Sequence, residues 1–272
     1  MENPMLGRGL AADGTIAREG ALERVPAAFA PVVAAARARL LPFLDDGRAH
    51  SAYLYGSVPR GTATPGVSDL DLLLVLGHRP TEADRAAADA VEAAINAAFA
   101  QVNGVGLLID SVDEVLSERE RHDLGFFVAC LCTPLLGPDL AERLPRHRPG
   151  SLLARETNGD LGPALLRWRE RAAGTATDAE RRALARSVAR KLVRTGFTLV
   201  MPRWGGWTSD LQRSARLFGH YYPERLDQMR LAAETARHPT ADPAVLRVLT
   251  EDLAPWLAAE YADRHGHKAP RP

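Results

Sequence analysis

Gly56-Ser57, a gap of eleven residues, and then Asp69-Leu70-Asp71 are the residues of this 272-residue chain whose types and spacing could do chemistry. Alternate side chains of a strand share a face. Asp69 and Asp71 are therefore expected to project together, with Leu70 and Leu72 on the opposite side. Two ionised carboxylates side by side repel unless a cation sits between them. A hard divalent ion such as Mg²⁺ takes oxygen ligands of this kind and commonly binds substrate phosphates as well. Gly56 permits a tight turn and the close approach of a ligand. The N–H groups that follow it, with the Ser57 hydroxyl, can cradle a phosphate, and Arg60 could offer the same phosphate a charged fork. Asp110 ends the next apolar run, VGLLID. If that run lies beside 69–76, Asp110 joins the pair, and three carboxylates can hold two metal ions about 3.5–4 Å apart. Alternatively, Asp110 takes a proton from an acceptor hydroxyl as a general base.

These residues need elements to hold them. Residues 27–46 read as a helix, with Pro31 in its first turn and Pro42 expected to bend or shorten it. Residues 51–57 read as a short strand, 58–68 as a loop rich in Gly, Pro and Thr, and 69–76 as a strand that alternates and then turns wholly apolar. A helix with an acidic first turn follows from Thr81 and ends at Asn103-Gly104. Residues 105–110 make a third strand. Residues 122–134 are expected to be helical, with a strand as the alternative, and TPLLGPDL reads as a turn. From there to about 266 the pattern gives four or five helices. The longest is 178–201, broken by MPRWGGWTSD, with Thr208 or Ser209 capping the next. The expected fold class is an α/β (α+β) N-terminal domain with a small mixed sheet, followed by an all-α helical bundle. The expected divisions are a loose arm at 1–25, the sheet domain at 26–148, the helical domain at 149–266 and a tail at 267–272.

The stretch YLYGSVPRGTATPGVSDLDLLLVL resembles the signature of the polymerase-β-like nucleotidyltransferase superfamily, and VGLLID is similar to its third-carboxylate strand. The resemblance covers roughly residues 35–112. It implies transfer of a nucleoside monophosphate from an NTP, ATP first among them, to an acceptor hydroxyl, with Mg²⁺ (two ions) and release of pyrophosphate. By position, Gly56 and Ser57 match the triphosphate-binding pair, Asp69 and Asp71 the metal ligands, and Asp110 the third acid. Ser68 stands where the family often has Ser before the first Asp, and Pro59 stands where Ala is commoner. One such unit ahead of a helical bundle is similar to bacterial small-molecule enzymes such as the aminoglycoside adenylyltransferases. The implied partners are an NTP and a small hydroxylated acceptor, an antibiotic among the options. A protein or tRNA acceptor, and a non-catalytic nucleotide-binding module, remain the alternatives.

The charges cancel over the whole chain, 34 basic against 34 acidic, so no overall basic field points to nucleic acid. The balance is local: residues 1–150 carry 14 basic and 20 acidic side chains, and 151–272 carry 20 and 14. An active site in the cleft between an acidic and a basic lobe is the expectation. Arg182, Arg186, Arg190 and Arg194 are spaced by four along one slowly drifting helix face. Lys191 and Arg194 are the members expected to reach a triphosphate. The two cysteines, Cys130 and Cys132, are too close in sequence for a structural disulfide. No run is read as reaching the roughly 18 apolar residues of a membrane helix, so a cytoplasmic protein with no membrane partner is expected.

Overall fold

The structure is a computed structural model and describes residues 7–175 and 177–270. It divides into two compact units, one of residues 17–147, the other of residues from 148 onward together with those before 17.

The first unit is built on a four-stranded sheet. Helix α1 (Ala30–Asp45) leads into strand β1 (Ala49–Tyr55). Strand β2 (Leu70–Leu76), helix α2 (Glu82–Ala98) and strand β3 (Val105–Ser111) follow. Two short helical turns, α3 (Val112–Val115) and α4 (Leu124–Phe126), precede a π-turn at Phe127–Leu131 and strand β4 (Cys132–Leu136). The spatial order is β3-β2-β1-β4. β1 runs antiparallel to both β2 and β4, while β3 runs parallel to β2. The sheet is therefore mixed, with α2 as the crossover that a parallel pair requires.

Period-2 alternation divides β2 between two cores. Leu70, Leu72, Leu74 and Leu76 pack with Val32, Ala36 and Leu40 of α1 and with Val91 and Ile95 of α2. Leu73 and Val75 pack on the other face with Tyr53, Val115, Val128 and Leu140. Both faces are thus covered, as the apolar run in β2 requires. The Ala27–Asp45 stretch is, contrary to the sequence reading, long and apolar enough to cross a membrane by length and composition alone. Here Val32, Ala36, Leu40 and Phe43 are buried at helical spacing against the sheet, and Arg37 and Arg39 point outward. Pro42 lies inside α1, and the helix runs three residues past it.

Helix α2 starts in a reciprocal capping box. The Thr81 hydroxyl donates to Asp84 Oδ2 at 2.6 Å and accepts from the Asp84 N–H at 3.3 Å. The Thr81 hydroxyl first, and then its N–H, hold the Asp84 carboxyl down at about 2, below its ordinary 3.8. A depressed carboxylate stabilises the fold above the unfolded value and loses that contribution as pH falls through the folded one. Thr81→Ala is therefore expected to cost about 1 kcal/mol near neutral pH. In urea melts its difference from wild type should shrink as pH drops from 3.8 toward about 2.

The second unit is helical: α5 (Ser151–Asn158), α6 (Leu161–Gly174), α7 (Asp178–Trp204), α8 (Leu211–Tyr221), α9 (Leu226–Arg237), α10 (Pro243–Arg247) and α11 (Ala254–His265). A π-turn at Val248–Leu253 joins the last two. The central α7 is buried along Leu184, Val188, Leu192 and Phe197 through Met201. Asp210, rather than Thr208 or Ser209, caps α8, accepting from the Arg213 N–H at 2.6 Å.

Two other expectations are corrected. The region read as a loose arm is bonded in place over residues 7–25, residues 1–6 lying outside the described residues. The Arg8 carbonyl accepts from the Trp207 N–H at 2.8 Å, and Ile16 is buried. Further along, Glu19 N–H donates to the Cys130 carbonyl, Ala21 N–H to the Pro59 carbonyl, and Arg18 pairs with Asp139 at 2.8 Å. The stretch 122–134 is one helical turn that widens into a π-turn and passes directly into β4. Half of the segment read as a turn, TPLLGPDL, is therefore strand, and Gly137 makes the turn itself, with φ 74°.

Candidate active site

Strand β2 begins at Leu70, so Asp69 is the last residue of the loop and Asp71 the second of the strand. Both are half-buried. The Asn103 side chain donates to Asp69 Oδ1 at 3.3 Å. The loop before them is tied to itself. Thr64 N–H donates to the Ser68 hydroxyl at 2.9 Å, and Asn103 N–H to the Ser68 carbonyl at 3.0 Å. Ser68 thus closes the loop that delivers Asp69.

At the other end of the loop, Gly56 has φ 80°. A Cβ built there would overlap Asp71 Oδ2. The bare backbone of Gly56 therefore lies directly against the Asp71 carboxylate, an approach that only glycine allows. Ser57 follows at once, and its hydroxyl has no hydrogen-bond partner among the described residues. Its carbonyl accepts from the Thr62 N–H at 3.0 Å, which folds residues 57–62 into a tight turn. Arg60 in that turn faces Glu19 at 3.7 Å, an ion pair within the loop's own surroundings.

Asp110 stands elsewhere. In the parallel register of β2 and β3, Asp71 is paired with Gly106 and Val75 with Asp110. Four residues of strand separate the two levels, about 13 Å at roughly 3.3 Å per residue. That is far outside the spacing of a shared two-metal cluster. The expectation of a third carboxylate beside the pair, and of a two-ion site built on it, is corrected by this register. Among the described residues no group of three or more His, Cys, Asp or Glu side chains could hold a metal ion. Asp110 instead accepts from the Ser111 N–H at 2.7 Å. Burial pushes its carboxyl up, the Ser111 bond draws it down, and Glu114 nearby adds to the rise.

The ladder also shows two neighbours that spacing alone did not mark. Tyr55 is opposite Asp71 on β1, its ring edge-on to Phe127 at 4.9 Å. Gly106 is opposite Asp71 on β3, and nothing lies within 4 Å of the Cβ it lacks. An interior glycine of a strand commonly marks close approach by a ligand. The sequence carried no signal for this pairing: counted from the strand starts read there, 69 and 105, Asp71 would face Leu107, and only the observed start of β2 at Leu70 brings Gly106 opposite Asp71.

Lys191 and Arg194 lie on α7 of the helical unit. The Lys191 ammonium donates to Asp160 Oδ1 at 2.5 Å, and the Arg194 carbonyl accepts from the Thr198 hydroxyl at 3.0 Å. Asp160 is held below its ordinary carboxylate value: burial raises it, but Lys191 and Lys268 lower it by more.

Asp69 and Asp71 are carboxylates of the kind that could ligate one hard divalent cation, with phosphate oxygens and water left to complete its shell. The turn of Gly56 and Ser57 lies against Asp71 and could cradle a phosphate. This combination suits chemistry on a polyphosphate.

Residues 40–122 match the family model described as nucleotidyltransferase domain. The span contains Gly56, Ser57, Asp69, Asp71 and Asp110. No curated protein sequence matches the chain. Among solved structures, the fold is similar to that of spectinomycin adenyltransferase AAD(9) from Enterococcus faecialis, crystallised with ATP and spectinomycin. The TM-score is 0.53 and the identity 15%, over 85% of this chain and 98% of that one.

Proposed function

We propose that this chain is a nucleotidyltransferase of the polymerase-β-like kind, a reading that the family match of residues 40–122 supports, and that it moves AMP from ATP to a hydroxyl of a small molecule. The observation that supports the reading is the contact of Gly56 with the Asp71 carboxylate, which brings the Gly56-Ser57 turn beside one of the two candidate metal-binding acids. The likeness in fold to an adenyltransferase that binds spectinomycin supports a small acceptor, an antibiotic of the aminocyclitol or aminoglycoside type being the first to try. A cytoplasmic location, where ATP is supplied, fits the same reading.

Mg²⁺, when bound, would neutralise charge on the triphosphate and draw electrons from the α-phosphorus. Asp69 and Asp71 would hold it. The Ser57 hydroxyl and N–H donate to the β- and γ-phosphate oxygens. Asp69 is steadied by Asn103, and the loop that carries it by Ser68. The bond that forms joins the acceptor oxygen to the α-phosphorus, and the bond that breaks releases pyrophosphate in line. The acceptor proton passes to solvent water as the new bond forms. The position of Asp110, four residues up the strand from the level of Asp71, speaks against that carboxylate as its acceptor.

The experiment is a mass-spectrometric screen of ATP, GTP and CTP against aminoglycosides, spectinomycin, lincosamides and tRNA. A mass gain of one AMP on a small hydroxylated compound is the expected result. Transfer only to tRNA or to protein would overturn the small-acceptor reading and leave the transferase.

A further inference from the structure

The helical unit holds a cavity of about 340 Å³ between α6, the start of α7 and α10. That volume lies at the lower end of the range for small-molecule sites. It exists because the facing side chains are short. Ala172 of α6 and Ala185 of α7 both line it, with Trp168 and Leu246 as its larger apolar neighbours. One side is formed by Thr250 and Glu251 of the π-turn Val248–Leu253. Wide turns of this kind are frequent at functional sites.

The charge around the cavity is unevenly committed. Asp242 spends its carboxylate on the Ala244 N–H at 2.8 Å, as the cap of α10. Arg181 is turned to Asp178 at 2.6 Å. Arg169 and Arg247, which come from α6 and α10 and line the same space, have no ion pair or hydrogen bond among the described residues. Two guanidiniums against one remaining carboxylate, Glu251, leave the cavity net positive over an apolar floor. A guanidinium fork suits a carboxylate, sulfonate or phosphate.

We propose that this cavity is a second small-ligand site of the helical unit, taking a compact molecule with an aromatic or apolar body and one anionic group. The apolar body packs on Trp168, Ala185 and Leu246, and the anion meets Arg169 and Arg247. All lining residues come from one unit, so the site is complete without the Asp69–Asp71 site, and its test does not depend on the transferase reading.

The probe is 1-anilinonaphthalene-8-sulfonate, an aromatic anion, titrated into the full chain and followed by its fluorescence. One saturable site per chain is expected, unchanged by excess Mg·ATP. The double variant Arg169→Gln/Arg247→Gln should weaken binding about tenfold or more, the loss expected for charge-assisted hydrogen bonds. Ala172→Trp, at a half-exposed position on the wall, should abolish it by filling the space, with the thermal melt confirming that the variant is folded. Naphthoate and naphthyl phosphate, added as competitors, tell a carboxylate site from a phosphate site, and displacement by either supports the proposal. Binding that is indifferent to both variants overturns it, and so does one-for-one displacement by Mg·ATP.

Discussion

Asp69→Asn is expected to lower AMP transfer by at least a thousandfold and to leave the fold as stable as before or slightly more so. The two halves of that result have one cause. Asp69 ends the loop and Asp71 is the second residue of β2; in the proposed chemistry the two hold one cation, and without it two neighbouring carboxylates repel. Neutralising one removes the repulsion from the folded state, so stability does not fall. The Asn oxygen can still accept from Asn103, which keeps the loop closed. Catalysis loses half of the side-chain charge available to the metal, because the register keeps Asp110 from substituting. Removing one preorganised electrostatic contact at a reacting phosphate commonly costs about 10²–10³-fold, and loss of the ion itself adds to that. Pyrophosphate release under a Mg²⁺ titration, beside a thermal melt of the same protein, measures both. Turnover within tenfold of wild type would show that the pair is not the metal site.

Most of the first unit was legible because its signals are local. The alternation in DLDLLLVL, the acidic first turn after Thr81 and the Gly-Ser before a polar loop each reflect the chemistry of a few neighbouring residues. The Asp-x-Asp spacing was legible for the same reason, but β2 begins at Leu70, so the period of two that was expected to give the pair a common face does not extend to Asp69. Asp110 was misplaced because its position is a matter of register. Which residue of β3 meets Asp71 is set by the length of the α2 crossover and by the bond from Leu70 N–H to the Gly104 carbonyl, neither of which a motif records. The segment 122–134 misled for a related reason. The run FVACLCT is apolar enough for helix or strand, and the tertiary contacts of Val128 and Cys132 divide it between a π-turn and β4. The bonding of residues 7–25 rests on main-chain hydrogen bonds to distant carbonyls, which composition does not register. Likewise, the row of arginines on α7 reads as a phosphate surface by spacing alone. The structure gives Lys191 a carboxylate partner in Asp160.

Gly56→Ala is expected to damage both the fold and the activity, and a double-mutant cycle can resolve why. Two costs act at this position. The backbone sits at φ 80°, in the left-handed region, where a non-glycine residue costs about 1–2 kcal/mol. The new methyl would also overlap Asp71 Oδ2, so either the turn or the carboxylate must move. In wild-type background the variant should lose about 2–4 kcal/mol in urea unfolding, both costs being of the size typical for strained and overpacked sites. Transfer activity should fall to background, because any relief of the overlap displaces a metal ligand or the phosphate turn. In an Asp71→Ala background the carboxylate is absent. The remaining neighbour is the residue's own Cβ at 3.5 Å, an ordinary contact. There Gly56→Ala should cost only the backbone share, about 1–2 kcal/mol. The difference between the two backgrounds isolates the contact of Gly56 with the carboxylate. Equal costs in both would mean that the glycine serves the turn alone, and that the turn and the carboxylate pair are not held together as the proposed chemistry requires.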